Sequence, residues 1–316
     1  MAFRMDPEVF SALVALAGPD GPPPPPPAGD VASRRTAVEA LIAGSMSAIP
    51  PCPPVEIRDF ETAADDGTPL LLRWYRKAGT RPGPGVLYVH GGGMILGNVG
   101  LYDPLVAHYA HEADLGLLSV EYRYAPEHPG ETPVRDAYAG LRWLAANAAD
   151  LGVDPDRIAV MGDSAGGGVA AGLAQLTRDE GGPQLAAQIL IYPMLDDRNC
   201  TPDPALAKFC TWSYDDNLTG WGALLGSRRG GPEVSPYEAP ARLVDPVGLA
   251  PAFIDIGELD IFRDECLDYA RRLTDAGVSV ELHLRAGAPH GFDTFAPTSA
   301  VAHRSGLDRI RVLRAL

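Results

Sequence analysis

Short apolar runs alternate along this chain with longer stretches whose apolar residues recur at helical spacing. Two early segments, 55–61 and 70–76, alternate apolar and polar side chains as half-exposed antiparallel strands do. Five mostly continuous apolar runs and a final alternating one indicate further strands, at 86–90, 115–121, 158–162, 189–192, 253–257 and 280–284. Helix-like stretches lie between and after them, at 102–113, 132–149, 165–178, 263–276 and 303–316. This alternation predicts an α/β fold with a mostly parallel, doubly wound, eight-stranded sheet and helices on both faces.

Two regions depart from this rhythm. The first fifty residues contain two helix-compatible stretches, 7–17 and 35–48, separated by the proline run 22–27, which we interpret as a stiff extended spacer. The Trp- and Asp-rich segment 197–230 interrupts the alternation as an excursion from the sheet. The predicted organisation is a small helical part and one main domain, at 1–50 and 51–316.

Composition and charge narrow the function classes. The chain has 316 residues, with 26 basic and 41 acidic side chains and a net charge of −15, which repels nucleic-acid phosphates and anionic lipid headgroups. We therefore expect no nucleic-acid partner. No apolar run approaches the roughly 18 residues of a membrane span, and the N-terminus lacks signal-peptide features, so no stable membrane insertion is expected. The four cysteines form no C-x-x-C pair, which argues against a zinc site or disulfide framework and favours a reducing, cytoplasmic setting.

A candidate nucleophile, Ser164, lies between the predicted strand 158–162 and the helix that begins at 165. It is the centre of Gly-Asp-Ser-Ala-Gly, a G-x-S-x-G motif in the strand–turn–helix context that this motif requires. A serine on such a sharp turn has a strained backbone, and glycines two residues to either side let strand and helix pass closely. We expect Asp163 to support the neighbouring loop rather than to react.

A second glycine cluster, His90-Gly91-Gly92-Gly93, follows an apolar strand. Glycines lack Cβ, so their backbone N–H groups can point into a cavity and stabilise the oxyanion of a tetrahedral intermediate. The alternative is a flexible loop between strand and helix.

A general base and an orienting carboxylate are expected after the serine in the chain order of α/β hydrolases. His290 follows the last predicted strand and projects from the carboxyl edge of the sheet, where ligands of open α/β sheets bind. Asp260, in the loop after 253–257, is the best-placed acid, Glu258 is its rival, and Asp264 is expected to cap the next helix. His108 and His111 could form a metal pair, but a surface helix is the favoured interpretation. No cofactor or metal is expected.

The motifs of this chain, in this order, resemble those of the bacterial hormone-sensitive-lipase family of carboxylesterases, which has the α/β-hydrolase fold. The resemblance covers roughly residues 55–316. It rests on six motifs: 90–93 with Gly97, 122–129 (Tyr-Arg-Tyr-Ala-Pro-Glu-His-Pro), 162–167, Tyr192-Pro193, Asp260 before 263–265, and His290-Gly291-Phe292.

The resemblance implies a serine carboxylesterase that acts on short- to medium-chain esters. Ser164 is implied as nucleophile, His290 as base and Asp260 as orienter, with an oxyanion hole formed by the N–H groups of Gly92, Gly93 and Ala165. It also implies a small helical cap built from the N-terminal helices and the 197–230 excursion. Six side chains are predicted to roof the acyl pocket: Phe10, Leu13, Leu16, Trp212, Tyr214 and Trp221.

Other functions and assemblies stay open at this stage. The run 166–171 formally matches G-x-G-x-x-A, but it falls inside a helix, which argues against dinucleotide binding. A non-catalytic small-molecule receptor on the same fold is a second alternative, and His290 in the expected place argues for turnover. Amide, lactone or carbamate cleavage would use the same groups. The alternating last strand leaves an edge through which a homodimer could form.

Overall fold

The computed structural model describes residues 3–19, 21–22, 24–49 and 52–316, and its strands form one sheet. The strands are β1 (Val55–Ala63), β2 (Pro69–Lys77), β3 (Gly83–Val89), β4 (Gly116–Val120), β5 (Val153–Asp163), β6 (Ala187–Ile191), β7 (Ala252–Gly257) and β8 (Val280–Arg285). Their order is β1-β2-β4-β3-β5-β6-β7-β8. β2 is antiparallel to both β1 and β4, and every other pair is parallel. The predicted eight-stranded, mostly parallel sheet is confirmed.

Helices connect these strands and pack against them. They are α1 (Pro7–Ala17), α2 (Val31–Ser47), α3 (Val99–Ala113), α4 (Thr132–Ala146), α5 (Ala148–Leu151), α6 (Ala165–Asp179), α7 (Tyr214–Leu225), α8 (Arg263–Asp275), α9 (Phe292–Phe295) and α10 (Ala300–Ala315). α3 contacts α10, whereas α4 contacts α6. The single helix predicted over 132–149 is divided at Asn147, whose amide nitrogen donates to the Trp143 carbonyl. Within the described ranges, no helix has the length and apolarity to cross a bilayer.

Burial explains why the strands have different sequence textures. β4 and β7 are buried at every position, as strands covered on both faces are, and they are mostly apolar in sequence. β8 ends the strand order and is only partly buried, with Leu284 46% exposed. The alternating pattern at 280–284 therefore did identify an edge strand.

The segment between β6 and β7 is longer than the predicted excursion of 197–230. It runs from residue 192 to 251 and contains α7, which the apolar pattern did not predict. α7 begins with a capping box between Ser213 and Asp216. Asp216 also accepts a hydrogen bond from the buried Arg34 of α2, at 2.5 Å, so this segment is joined to the N-terminal helices. The predicted boundary at 50 and 51, and Pro23 of the proline run, lie outside the described residues.

Candidate active site

Ser164 lies at the turn between β5 and α6, with φ of 53° and ψ of −121°. A positive φ is costly for a residue with a Cβ, so the surrounding backbone must hold this conformation in place. A Cβ on Gly162 would lie 2.2 Å from the Gly166 carbonyl oxygen, and one on Gly166 would lie 2.1 Å from that of Val89. The structure therefore gives both glycines of the G-x-S-x-G motif the steric reason that we expected from the sequence.

A chain of hydrogen bonds connects Ser164, His290 and Asp260. Ser164 Oγ lies 2.9 Å from His290 Nε2, and His290 Nδ1 lies 2.7 Å from Asp260 Oδ2. Because a carboxylate only accepts, Nδ1 carries the proton and Nε2 is left to accept from the serine hydroxyl. All three side chains are buried. This arrangement can deprotonate the serine hydroxyl.

The imidazole of His290 is held on several sides. The ring packs against Tyr192 and Phe262 in T-shaped geometry, with centroids 4.9 and 5.0 Å away. Thr211 Oγ1 donates to the His290 carbonyl at 2.5 Å. These contacts restrict the ring to the orientation that reaches both Ser164 and Asp260.

The three candidate carboxylates have different partners. Asp260 Oδ1 accepts from the Phe262 backbone N–H at 2.9 Å, which fixes the carboxylate with its other oxygen toward His290. Glu258 instead accepts from the backbone N–H of Gly287. The prediction that Asp264 caps α8 is wrong, because its carboxylate pairs with Arg263 at the surface and the helix has no side-chain cap.

The glycine loop after β3 lies beside Ser164. Gly92 and Gly93 have positive φ values of 119° and 61°, and both line the same cavity as Ser164. A Cβ on Gly93 would lie 2.5 Å from the Trp212 ring. Within the described part of the chain, the N–H groups of these two glycines donate to no protein acceptor. Ala165 is the first residue of α6, so its N–H also lacks an intrahelical acceptor.

Buried polar groups brace this loop from behind. Asp163 Oδ1 accepts from Tyr88 Oη at 2.6 Å and from the Gly91 N–H at 3.1 Å, the supporting contact that we expected. His90 is neutral, because burial lowers the pKa of its imidazole to about 4. Its Nδ1 donates to the Gly91 carbonyl, and its ring stacks on Tyr122.

Burial raises the pKa of the Asp163 carboxyl to about 6, although the hydrogen bond from Tyr88 acts in the opposite direction. The folded state therefore binds more protons than the unfolded state between an ordinary Asp pKa of 3.8 and about 6, and this group destabilises the fold as pH rises. Asp163→Asn keeps an oxygen for both donors and removes the charge. We expect the free energy of unfolding of the variant, relative to that of the unsubstituted protein, to rise by roughly 3 kcal/mol between pH 4 and 6. Above pH 6 this difference should stay constant. Urea unfolding at several pH values measures this, and a difference that does not change with pH would contradict it.

The cavity at Ser164 has a volume of about 90 Å³. The residues that line it differ from those that we predicted for the roof of the acyl pocket. Of the six predicted roof residues, Trp212 lines the cavity. The other five are absent from its described walls: Phe10 and Leu16 are more than half exposed, Leu13 is partly buried, and Tyr214 and Trp221 are buried in α7. The physical reason is that α1 packs against α9 instead.

α2 supplies the wall that we had assigned to α1. Its side chains Val38, Leu41 and Ile42 line the cavity, at spacings of three and four residues. The same periodicity was visible in the sequence, but nothing local to either helix showed which one would face Ser164.

A contact that sequence reasoning missed joins α2 to the active-site loops. Arg35 donates to both carboxylate oxygens of Glu127 and to the carbonyls of Ala125 and Ile95. Glu127 therefore joins α2 to the loop after β4. Arg123 braces the same loop, since its guanidinium donates to Asp136 at 2.8 Å. In the described ranges, no group of three or more His, Cys, Asp or Glu side chains could hold a metal ion. His108 and His111 therefore do not belong to a metal-binding group of that size.

Comparison with known proteins places this geometry in a family. A family model described as alpha/beta hydrolase fold matches residues 86–294. Carboxylesterase NlhH of Mycobacterium tuberculosis is 39% identical over 266 residues, 82% of this chain and 83% of that protein. Ethyl acetate hydrolase of Pseudomonas putida is 34% identical over 267 residues, 80% of this chain and 79% of that protein. The structure of a bacterial heroin esterase has a TM-score of 0.88 and 37% identity, and the match covers 98% of this chain and 97% of that one.

The fold and these relatives define an α/β hydrolase that cleaves carboxylic esters. Within that class, the chain belongs to the hormone-sensitive-lipase-like family of carboxylesterases, which confirms the resemblance drawn from its motifs.

Proposed function

We propose that this esterase works by two-step acyl transfer through Ser164, with His290 as general base and Asp260 as its orienting carboxylate. The observation that carries the proposal is the continuous hydrogen-bonded chain from Ser164 Oγ through His290 to Asp260, at 2.9 and 2.7 Å. The strained turn at Ser164 also supports it, because the turn holds the hydroxyl at the cavity wall.

In the first step, His290 Nε2 takes the proton from Ser164 as Oγ attacks the ester carbonyl carbon. The N–H groups of Gly92, Gly93 and Ala165 then stabilise the oxyanion, each donor contributing about 3 kcal/mol in comparable sites. The carbon–oxygen bond to the alcohol breaks, and His290 returns the proton to the departing oxygen. In the second step, water attacks the acyl carbon with His290 again as base, the bond to Ser164 Oγ breaks, and His290 returns the proton to Oγ as the carboxylic acid leaves. Neither step requires a cofactor or metal.

We propose short- to medium-chain esters as substrates, with α2 and the segment from 192 to 251 as a cap over the site. The cavity of about 90 Å³ beside Ser164, closed by Trp212, supports a small acyl group. Ethyl acetate hydrolase of Pseudomonas putida is named for an ester with a small acyl group. The proposed domains are the N-terminal part of the cap, 1–50, and the catalytic domain, 51–316.

The alternatives make different predictions on mixing with p-nitrophenyl acetate. An acyl-transfer enzyme releases a burst of p-nitrophenol, at most one equivalent per active site, before steady turnover whenever deacylation is the slower step. A receptor would bind the ester without releasing p-nitrophenol. The hydrogen bond between Ser164 and His290 argues against that alternative. Comparing the acetyl ester with the matching acetanilide distinguishes an esterase from an amidase that uses the same groups. Failure to release p-nitrophenol would overturn the proposal.

We also propose that two copies of this chain form a homodimer by pairing through the edge strand β8. We propose a reducing, cytoplasmic setting for it. The partly exposed β8, with Leu282 and Leu284 at 36% and 46% exposure, supports the pairing, and the four free cysteines support the setting. We expect light scattering at micromolar concentration to give about twice the 33.4 kDa mass of one chain. A mass of one chain would overturn the dimer.

A further inference from the structure

A second cavity lies next to the one at Ser164, between α2, α3, α9 and α10. Its volume is about 410 Å³, against about 90 Å³ beside Ser164. Small-molecule sites usually measure about 300–1,000 Å³, so only the second cavity is large enough to hold most of a ligand. Met46, Leu105 and Ile310 are among its walls.

Among the described residues, the two cavities share one helix face and one residue. Along α2, Val38, Leu41 and Ile42 line the cavity at Ser164, and Ser45 and Met46 of the next turn line the second cavity, as does Ile49 just after the helix. Thr294 of α9 lines both cavities. They are therefore neighbouring compartments, and the short helix α9 lies at their border.

The position of His290 indicates which part of an ester faces this border. In the proposed mechanism, His290 Nε2 returns its proton to the leaving alcohol oxygen, so that oxygen must lie within hydrogen-bond reach of the ring. α9 begins two residues after His290 in the chain. An ester bound in this way would have the substituent of its leaving oxygen on the side of the site where Thr294 borders the larger cavity.

The walls of the second cavity favour an uncharged, apolar occupant. Asp293 and Arg309 line it, but they pair with each other, and Arg309 also pairs with the buried Asp255. His303 and Arg314 are exposed, so they lie toward solvent. His108 and Glu112 of α3 also line the cavity and are half-buried, and the apolar side chains of α2, α3 and α10 supply the remaining contacts for a ligand inside.

We propose that the second cavity binds the apolar alcohol portion of the substrate, so that this enzyme prefers short-acyl esters of longer alkyl or aryl alcohols. The inference rests on the proposed acyl transfer at Ser164. It assigns the acyl group to the small cavity and the alcohol to the large one.

Gly306 of α10 offers a way to fill the cavity without disturbing the helix. It lines the second cavity, and a Cβ built on it meets no heavy atom within 4 Å. Gly306→Leu should therefore place apolar volume where the alcohol tail would lie. Gly44 of α2 is the matched control, because it is an exposed helical glycine with equally open space and is not among the cavity residues.

The experiment compares ethyl acetate with hexyl acetate by pH-stat for the unsubstituted protein and each variant. We expect the unsubstituted enzyme to have the higher kcat/KM on hexyl acetate. Gly306→Leu should lower kcat/KM for hexyl acetate about tenfold relative to ethyl acetate, because the filled cavity no longer buries about two methylene groups of the alcohol. Gly44→Leu should leave the ratio unchanged. Ser45→Leu fills the cavity from the opposite wall and should repeat the effect if Gly306→Leu does not fold.

Three results would overturn the assignment. The hexyl-to-ethyl ratio could stay constant in both filled variants, or the unsubstituted enzyme could show no preference for hexyl acetate. Filling the cavity could also impair p-nitrophenyl hexanoate, which is long on the acyl side, instead of hexyl acetate. Absence of hydrolysis of both acetates by the unsubstituted enzyme would overturn the proposed function as well, so the two failures are distinguishable.

Discussion

Ser164→Ala should remove nearly all ester hydrolysis, with a loss on the order of 10⁶ in kcat if the serine is the nucleophile of a working triad. The substitution deletes the Oγ that lies 2.9 Å from His290 Nε2 and leaves no atom to form the acyl-enzyme. Alanine keeps the Cβ, so the strained φ of 53° is no harder to hold than before. We therefore expect the free energy of unfolding to change by only about 1 kcal/mol, the contribution of the one hydrogen bond that is lost.

Steady-state rates on p-nitrophenyl acetate measure this loss, and labelling with a fluorophosphonate should disappear in parallel. Urea unfolding serves as the folding control. Residual activity within tenfold of the unsubstituted enzyme, in a folded variant, would show that Ser164 is not the nucleophile.

Asp260→Asn should lower kcat on the order of 10⁴, or about 5.5 kcal/mol of transition-state stabilisation, while the protein stays folded. The amide oxygen of asparagine can still accept from the Phe262 N–H, which turns its NH₂ group toward His290 Nδ1. Nδ1 must then accept, so the proton moves to Nε2, and the ring can no longer take the proton of Ser164.

Glu258→Gln is the matched control for this prediction. Glu258 lies in the same loop, but its carboxylate accepts from Gly287 N–H, a bond that glutamine can also accept. We expect its kcat to stay within about tenfold of the unsubstituted value. If Glu258→Gln caused the larger loss instead, the orienting role would belong to Glu258.

Much of the fold was predictable because its signals are local. The mostly apolar sequences of β4 and β7 indicate strands covered on both faces, and the alternation of β8 marks the partly buried strand at the edge of the sheet. The elements that escaped prediction have weak local signals. α7 lies in a segment rich in Trp, Asp and Gly, and α9 is a single turn of four residues.

The same distinction applies to the site. Ser164 and the glycine loop were identified from motifs whose steric reason is contained in a few consecutive residues. The sequence favoured Asp260 over its rival Glu258 as the orienting acid. The contact itself is a property of the tertiary structure, which brings Asp260 Oδ2 to 2.7 Å from Nδ1 of His290, thirty residues further along the chain.

By itself, then, the sequence determined the sheet, the strained turn at Ser164 and the family, because periodicity, glycine sterics and motif order are properties of neighbouring residues. Only the tertiary structure decided which helix lines the cavity: α2 rather than α1, although both carry apolar stripes. It alone showed Arg35 donating to Glu127 and a larger cavity bordering the smaller one at Thr294. The physical reason is that cavities and ion pairs form between segments far apart in the chain, and no local pattern encodes which surfaces will meet.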